Sequence, residues 1–240
     1  MPTHKTSLYA ALTAATVALT NPAQASIVGI NSDASLGAFD SITWSQIGPS
    51  NVTYTSPQNV VSNGGVHATV TSAGNQFQTP VQPDDWSGNF ASGTTALWTF
   101  HGGPDITITL AQATMGFGAQ IQSDNYGLFT AQIKAFNARG SLLGTYTENG
   151  TSTRDGDGSA IFIGLLDDSA DISKIVFNLT AAPGGTISDF AIGSAEFSGG
   201  GAVAGVPLNP TSHLLLVGAV PVYYLMRRRK KKALLQVNAA

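Results

Sequence analysis

The sequence predicts an all-β domain, a two-sheet sandwich of jelly-roll-like type, flanked by an N-terminal signal peptide and a single hydrophobic helix near the C-terminus. Residues 27–197 contain no long apolar stripe with the helical period of 3.6 residues. Short runs of β-branched and aromatic residues alternate there with Gly, Asn, Asp and Pro, which is typical of strands and turns. The chain has no Cys and only 10% charged residues, which excludes disulfide scaffolds, Cys-ligated metal centres and coiled coils.

Nine short strands are predicted, enough for one sandwich with a single core. In Ile106–Leu110 the apolar and polar residues alternate strictly, so one face of this strand is expected to be buried. Asn137–Gly140 predicts the turn of a hairpin. The nine strands are Val66–Thr71, Ala96–Phe100, Ile106–Leu110, Thr114–Gln120, Leu128–Phe136, Leu142–Glu148, Ala160–Leu165, Ile172–Leu179 and Phe190–Phe197.

The charge distribution separates the central domain from the C-terminal tail. Between the two ends lie four basic and fourteen acidic residues, a net formal charge of −10. Nucleic-acid binding requires a cationic face, so we expect no nucleic-acid partner for this domain. Six cations instead form one run near the C-terminus: Arg227, Arg228, Arg229, Lys230, Lys231 and Lys232.

Residues 1–25 are predicted to be an export signal. A weakly positive start precedes an apolar stretch, and Ala23-Gln24-Ala25 fits the small-x-small pattern that signal peptidase cleaves, here before Ser26. An ordinary N-terminal helix is the alternative. If the export signal is removed there, residues 26–197 form an exported β-sandwich ectodomain.

The C-terminal part is predicted to hold the chain at a membrane. A Gly-rich linker, residues 198–205, precedes an uncharged stretch, Leu214–Met226, and the six cations act as a stop that leaves residues 233–240 on the cytoplasmic side. Thirteen helical residues span about 20 Å, less than the ~30 Å hydrocarbon core. A buried or interfacial helix is the alternative.

The C-terminal part resembles the PEP-CTERM class of bacterial sorting signals, in the variant whose tails begin V-P-L-P. The resemblance lies in the order of its parts: Val206, Pro207 and Pro210 come first, then the apolar stretch, then the cationic run. The resemblance covers about the last 35 residues and makes residues 206–232 the sorting segment. It implies an exosortase-like processing enzyme as a partner, an inner-membrane-tethered precursor, and delivery to the cell surface or extracellular matrix. A permanent single-span anchor remains the alternative.

Three groups of residues could bind ligands. Asp155, Asp157 and Ser159 place oxygen ligands at alternate positions, as calcium loops do, although the loop lacks the Gly and Glu of an EF-hand. Asp85 and Trp86 combine hydrogen-bond acceptors with an aromatic face, the chemistry of a sugar contact. Asp167, Asp168 and Asp171 form a second acidic turn, which we expect to be solvated.

The sequence favours a non-catalytic protein. His101-Gly102-Gly103-Pro104 is similar to the oxyanion loop of esterases, but the chain has no G-x-S-x-G nucleophile motif. We therefore expect an exported envelope or extracellular-matrix protein that is no enzyme and needs no cofactor, with calcium as the one ion that its loops suggest. The alternative is a carbohydrate-binding module on a single-span anchor, with polysaccharide as its partner.

Overall fold

The structure is a computed structural model that describes residues 27–100, 105–187 and 189–200. The predicted signal peptide, sorting segment, hydrophobic helix and cytoplasmic tail lie outside the described residues. No helix among those that are described is long and apolar enough to span a membrane.

The described part is all-β, as predicted. Its helical elements are one turn of α-helix, α1 (Asp33–Leu36), and two short 3₁₀ turns, Trp44–Gln46 and Pro183–Gly185. The strands are β1 (Val28–Ile30), β2 (Asp40–Ile42), β3 (Tyr54–Thr55), β4 (Gln58–Val61), β5 (His67–Ser72), β6 (Gln76–Phe77), β7 (Leu97–Trp98), β8 (Asp105–Ser123), β9 (Gly127–Phe136), β10 (Leu142–Ser152), β11 (Ile161–Leu166), β12 (Ile172–Ala181) and β13 (Phe190–Gly200).

All nine predicted strands overlap observed ones, with three differences. The two predicted strands Ile106–Leu110 and Thr114–Gln120 are one continuous strand, β8. Strand β13 extends to Gly200, so the first three residues of the predicted linker belong to the sheet. The short strands β1, β2, β3, β4 and β6 were not predicted, because two to four residues carry too little alternation to stand out.

Strand β8 joins two halves of one large antiparallel sheet. Its first part, 106–109, pairs with β5 on one side and β12 on the other. Its last part, 116–121, pairs instead with β11 and β13. The predicted pair of separate sheets is thus one sheet that is continuous through β8, and β3 with β6 forms a second, two-stranded sheet.

The apolar faces of both halves meet in one core. Phe117, from the second part of β8, stacks on Phe197 with ring centroids 5.8 Å apart and lies 6.3 Å from Phe177 of β12. The predicted alternation is confirmed, since Ile106, Ile108 and Leu110 are all buried. This core supports strands β2 and β13, which carry the cavity described below.

The predicted hairpin at Asn137–Gly140 is also confirmed. Strands β9 and β10 pair antiparallel on either side of it. The Asn137 Oδ1 atom accepts hydrogen bonds from the backbone N–H groups of Arg139 and Ser141, both at 3.0 Å. Gly140 has a φ of +80°, which a residue without a side chain adopts at little cost.

Candidate functional site

The predicted calcium loop lies between β10 and β11, and each of its three side chains has a protein partner. Asp155 Oδ2 accepts from the Thr153 hydroxyl at 2.7 Å, and Asp157 Oδ1 accepts from the Ser159 backbone N–H at 3.0 Å. The hydrogen bonds from Ser159 hold the pKa of Asp157 below its usual value. In the part of the chain that the structure describes, no three His, Cys, Asp or Glu side chains converge as a metal-ligating group. Calcium binding by this loop stays a prediction.

Trp86, the predicted sugar platform, lies in a small buried cluster. Only 6% of its surface is exposed, and its ring packs edge-on against Trp98 with centroids 5.6 Å apart. Asp85 Oδ1 accepts a hydrogen bond from the backbone N–H of Val81 and so belongs to the turn itself. The Trp86 ring therefore offers no open face on which a sugar could stack.

The structure nevertheless brings these two predicted sites together. The Asn89 side chain donates to the hydroxyls of Thr153 and Ser159, at 2.7 and 2.9 Å, and accepts from the Thr153 backbone N–H at 2.7 Å. The Gln122 side chain accepts from the Asn89 backbone N–H and donates to the Ser152 hydroxyl. These amides tie the loops at residues 84–92 and 152–160 into one polar network, which sequence spacing could not reveal.

A different part of the surface contains an open cavity of about 320 Å³. It lies between the segment that joins α1 to β2, the turn between β4 and β5, and strand β13. Its most unusual side chain is Phe39, an aromatic ring that is 65% exposed. The polar side chains around it come from Asp33, Asp40, Ser41, Asn63 and Glu196.

Asp40 builds the wall of this cavity. One carboxylate oxygen accepts from the backbone N–H groups of Ser41 and Gly64, at 2.8 and 2.7 Å, and the other accepts from the Ser62 hydroxyl at 2.5 Å. A Cβ atom on Gly64 would lie 2.6 Å from this carboxylate, so only glycine permits the close approach. Asp40 is thus saturated by the protein and fixes the β4–β5 turn beside β2.

Asn63 and Ser41 supply hydrogen-bonding groups on the same wall. The Asn63 side-chain amide donates to the Ser41 hydroxyl at 3.0 Å, and the Asn63 backbone N–H donates to the Ser41 carbonyl at 2.9 Å. This arrangement leaves the Asn63 side-chain carbonyl and its second amide hydrogen available to a ligand.

A pair of carboxyl groups forms the opposite side of the cavity. Burial raises the pKa of Glu196 to about 7. A hydrogen bond that protonated Glu196 donates to Asp33 and the negative charge of Asp33 add to this rise. Asp33 lies in the first turn of α1, and Glu196 lies on β13 opposite Ser41 of β2. Near neutral pH the Glu196 carboxyl group is therefore protonated in part of the molecules and can donate as well as accept hydrogen bonds.

Sequence reasoning did not find this cavity. Phe39 follows Gly37 and Ala38 in a short irregular segment, where neither period nor spacing distinguishes an exposed ring from a core residue. Glu196 lies 163 positions after Asp33 in the sequence, so only the pairing of β13 with β2 brings them close. The predicted sorting residues Val206, Pro207 and Pro210 and the cationic run Arg227–Lys232 lie outside the described residues.

Neither a protein-family model nor a curated protein matches the chain. Among solved structures it is similar to a DUF4465 family protein from Bacteroides caccae, at 10% identity and a TM-score of 0.39, covering 66% of this chain and 99% of that one. It is also similar to CsCBM6-3 from Clostridium stercorarium, in complex with cellobiose, at 16% identity, a TM-score of 0.22, and 62% and 88% coverage. A glycoside hydrolase family 43 arabinoxylan arabinofuranohydrolase from Bacillus subtilis, in complex with cellotetraose, is similar at 15% identity, a TM-score of 0.25, and 64% and 42% coverage.

Proposed function

We propose that this chain is an exported, non-catalytic protein of a bacterial envelope or extracellular matrix, and that its β-domain binds a neutral polysaccharide. The observation that carries the binding proposal is Phe39, whose ring is 65% exposed in the wall of a cavity lined by carboxyl, amide and hydroxyl groups. Among the described residues, Phe39 differs from the other exposed apolar side chains in that it lies in a cavity wall beside polar groups, which is the usual composition of a small-molecule site.

A sugar ring fits the chemistry of this cavity. Its C–H face is apolar and can pack on an aromatic ring, while its hydroxyls need donors and acceptors at the edge of that contact. Asp33 supplies an acceptor, and Glu196 supplies an acceptor or, when protonated, a donor. Asn63 supplies both a donor and an acceptor. The volume of about 320 Å³ is at the lower end of the range for small-molecule sites and suits one or two sugar residues of a longer chain.

Charge favours a neutral polysaccharide over an anionic one. The cavity is lined by three acidic side chains, Asp33, Asp40 and Glu196, and by no basic one among the described residues. An anionic sugar would meet like charge there and lose affinity.

The sequence supports a non-catalytic role, because it contains no G-x-S-x-G nucleophile motif.

Phe39→Ala tests the binding proposal. We expect the full-length chain to be retarded in gels that contain a soluble neutral glucan such as hydroxyethylcellulose, and not in gels that contain alginate. Loss of a stacked aromatic ring should weaken binding by about tenfold to a hundredfold. Leu128→Ala removes another exposed apolar side chain, 77% exposed, and is the matched control. Equal retardation of both variants, or no retardation of the parent by any neutral glucan, would reject the site.

We also propose that the C-terminal segment sorts the protein through an exosortase-like enzyme. Its support is the PEP-CTERM-like order of residues 206–232 and an apolar stretch that is short for a permanent span.

The double variant Pro207→Ala with Pro210→Ala tests this proposal, and it should insert into the membrane normally but remain unprocessed. The control variant Thr211→Ala should both insert and be processed normally. Mass spectrometry of surface protein from the native host should find a C-terminus that lacks Arg227–Lys232. A full-length tail on surface protein would favour the alternative, a carbohydrate-binding domain on a permanent single-span anchor.

A further inference from the structure

The loop between β11 and β12 contains a carboxylate that its protein surroundings do not satisfy. The loop reads Asp167-Asp168-Ser169-Ala170-Asp171, and the expectation that its acids are solvated is wrong for Asp167, which is only 2% exposed. Asp167 Oδ1 has weak contacts with Ser169, 3.4 Å from the backbone N–H and 3.5 Å from the hydroxyl. Its Oδ2 atom is buried and accepts no hydrogen bond.

An unpaired carboxylate oxygen is costly in such a place. Removing an ionised carboxylate from water costs several kcal/mol unless a counter-charge or hydrogen bonds compensate. Buried carboxyl groups in proteins are therefore protonated, paired with a cation or bound to a metal ion. Asp167 lies beside two further oxygen-bearing side chains at alternate positions, Ser169 and Asp171.

The distances between these oxygens suit a shared cation. Ser169 Oγ lies 2.9 Å from Asp171 Oδ2 and 3.5 Å from Asp167 Oδ1. Ligands that surround one Ca²⁺ ion at 2.3–2.6 Å, with angles of about 75–90° between them, lie about 2.8–3.7 Å apart. The Ser169 hydroxyl thus lies within the spacing of a coordination shell from one oxygen of each carboxylate, and an ion bound by both oxygens of Asp167 would also satisfy its Oδ2 atom.

We propose that this loop binds a calcium ion through the carboxylates of Asp167 and Asp171 and the hydroxyl of Ser169, with water or backbone oxygens completing the shell. Calcium suits the loop better than magnesium because it accepts irregular sets of six to eight oxygens, whereas magnesium requires a near-ideal octahedron. Asp171 also lines a cavity of about 340 Å³, together with Asn137 and Arg139, so this ligand is open to solvent. This site is distinct from the predicted one at Asp155, Asp157 and Ser159.

The position of the loop indicates what the ion would do. The Asp167 backbone N–H donates to the carbonyl of Met115 at 2.7 Å, next to the place where β8 passes from one half of the sheet to the other. An ion that neutralises Asp167 would therefore fix the β11–β12 loop against the middle of β8 and stabilise the domain.

Thermal unfolding of the full-length chain with and without CaCl₂ tests the proposal. For a dissociation constant of about 10⁻⁴ M, typical of extracellular modules, 5 mM CaCl₂ should raise the Tm by about 5 °C. Asp171→Asn, at an exposed position, should abolish this rise. Asp167→Asn should also abolish it and should not lower the Tm without calcium, because a neutral amide replaces the buried charge.

The double variant Asp155→Asn with Asp157→Asn is the control and should keep the full rise. An unchanged Tm of the parent chain would overturn the proposal and leave Arg139, which lines the same cavity, as the counter-charge for Asp171. Three other results would overturn it as well: a calcium-induced rise in Tm that persists in Asp171→Asn, one that is absent from the control variant, or an equal rise in Tm with MgCl₂. If Asp167→Asn fails to fold, the comparison of Asp171→Asn with the control decides alone.

Discussion

At the scale of single residues, Glu196 links the cavity to the stability of the domain. Its carboxyl group is partly buried on β13 and faces the carboxyl group of Asp33, and its pKa is raised from 4.5 to about 7. The folded chain therefore binds a proton that the unfolded chain releases between these two values. Stability from this group is fully present below about pH 4.5 and is lost as the pH rises through about 7.

Glu196→Gln should remove this pH dependence. We expect the variant to be more stable than the parent at pH 8, by about 1 kcal/mol after solvent screening, and close to it at pH 5. Urea unfolding at both pH values measures the difference. Asp168→Asn, which changes an exposed carboxylate in another loop, serves as the control. A difference between variant and parent that is the same at both pH values would show that folding does not raise the pKa of Glu196.

Phe39 and Trp86 show what the sequence could and could not predict about the site. Trp86 was predicted as the sugar contact because two acidic residues precede it in the sequence. In the structure the Trp86 side chain is only 6% exposed, whereas Phe39 is 65% exposed. Exposure depends on which distant segments cover a ring, and here Trp98 covers Trp86 while nothing comparable covers Phe39. The residue types of a sugar site were thus predictable from chemistry, but its location was not.

At the scale of elements, the middle of β8 is the critical point of the fold. Residues 111–113 pair with no strand, and Thr114 then starts the second part, where its hydroxyl donates to the Ser198 carbonyl of β13 at 2.5 Å. Alternation predicted both parts of this strand, because Ile106–Leu110 and Thr114–Gln120 each fit a strand. The break in alternation at residues 111–113 made them look like two strands, although the backbone continues as one.

Thr114→Val should destabilise the domain by about 1–2 kcal/mol. The variant keeps the shape of the side chain, which is only 1% exposed, and leaves the Ser198 carbonyl without its donor. Thr109→Val, at an exposed position of the same strand, should change stability by less than about 0.5 kcal/mol. Chemical denaturation measures the stability of both variants. If Thr114→Val is as stable as Thr109→Val, the hydrogen bond from Thr114 to Ser198 contributes nothing to the stability of the domain.

At the scale of the whole molecule, the described part of the chain should unfold as one unit. Both halves of the sheet share β8, and Phe117 contacts Phe177 of one half and Phe197 of the other. The all-β class was predictable because strand and turn signals alternate along the chain. The continuity of the sheet was not, because it depends on pairing between segments that are far apart in sequence.

Phe117→Ala should cost about 3–5 kcal/mol, as expected for a large cavity in a core, and should keep a single transition. Tryptophan fluorescence, to which the buried Trp44 and Trp86 contribute, and backbone circular dichroism should report the same midpoint in urea. Leu128→Ala, at a 77% exposed position, is the control and should leave the midpoint nearly unchanged. Two separate midpoints would show that the halves fold independently.

Binding of neutral polysaccharide in the cavity beside Phe39 can be observed directly in solution. The most direct test is a titration of the ¹⁵N-labelled full-length chain with soluble neutral oligosaccharides, followed residue by residue through its amide NMR signals. We predict saturable shifts centred on Phe39, Ser41, Asn63 and Glu196, which Phe39→Ala abolishes. Shifts confined to the loops at residues 84–92 and 152–160, or no shifts at millimolar oligosaccharide, would contradict this proposal.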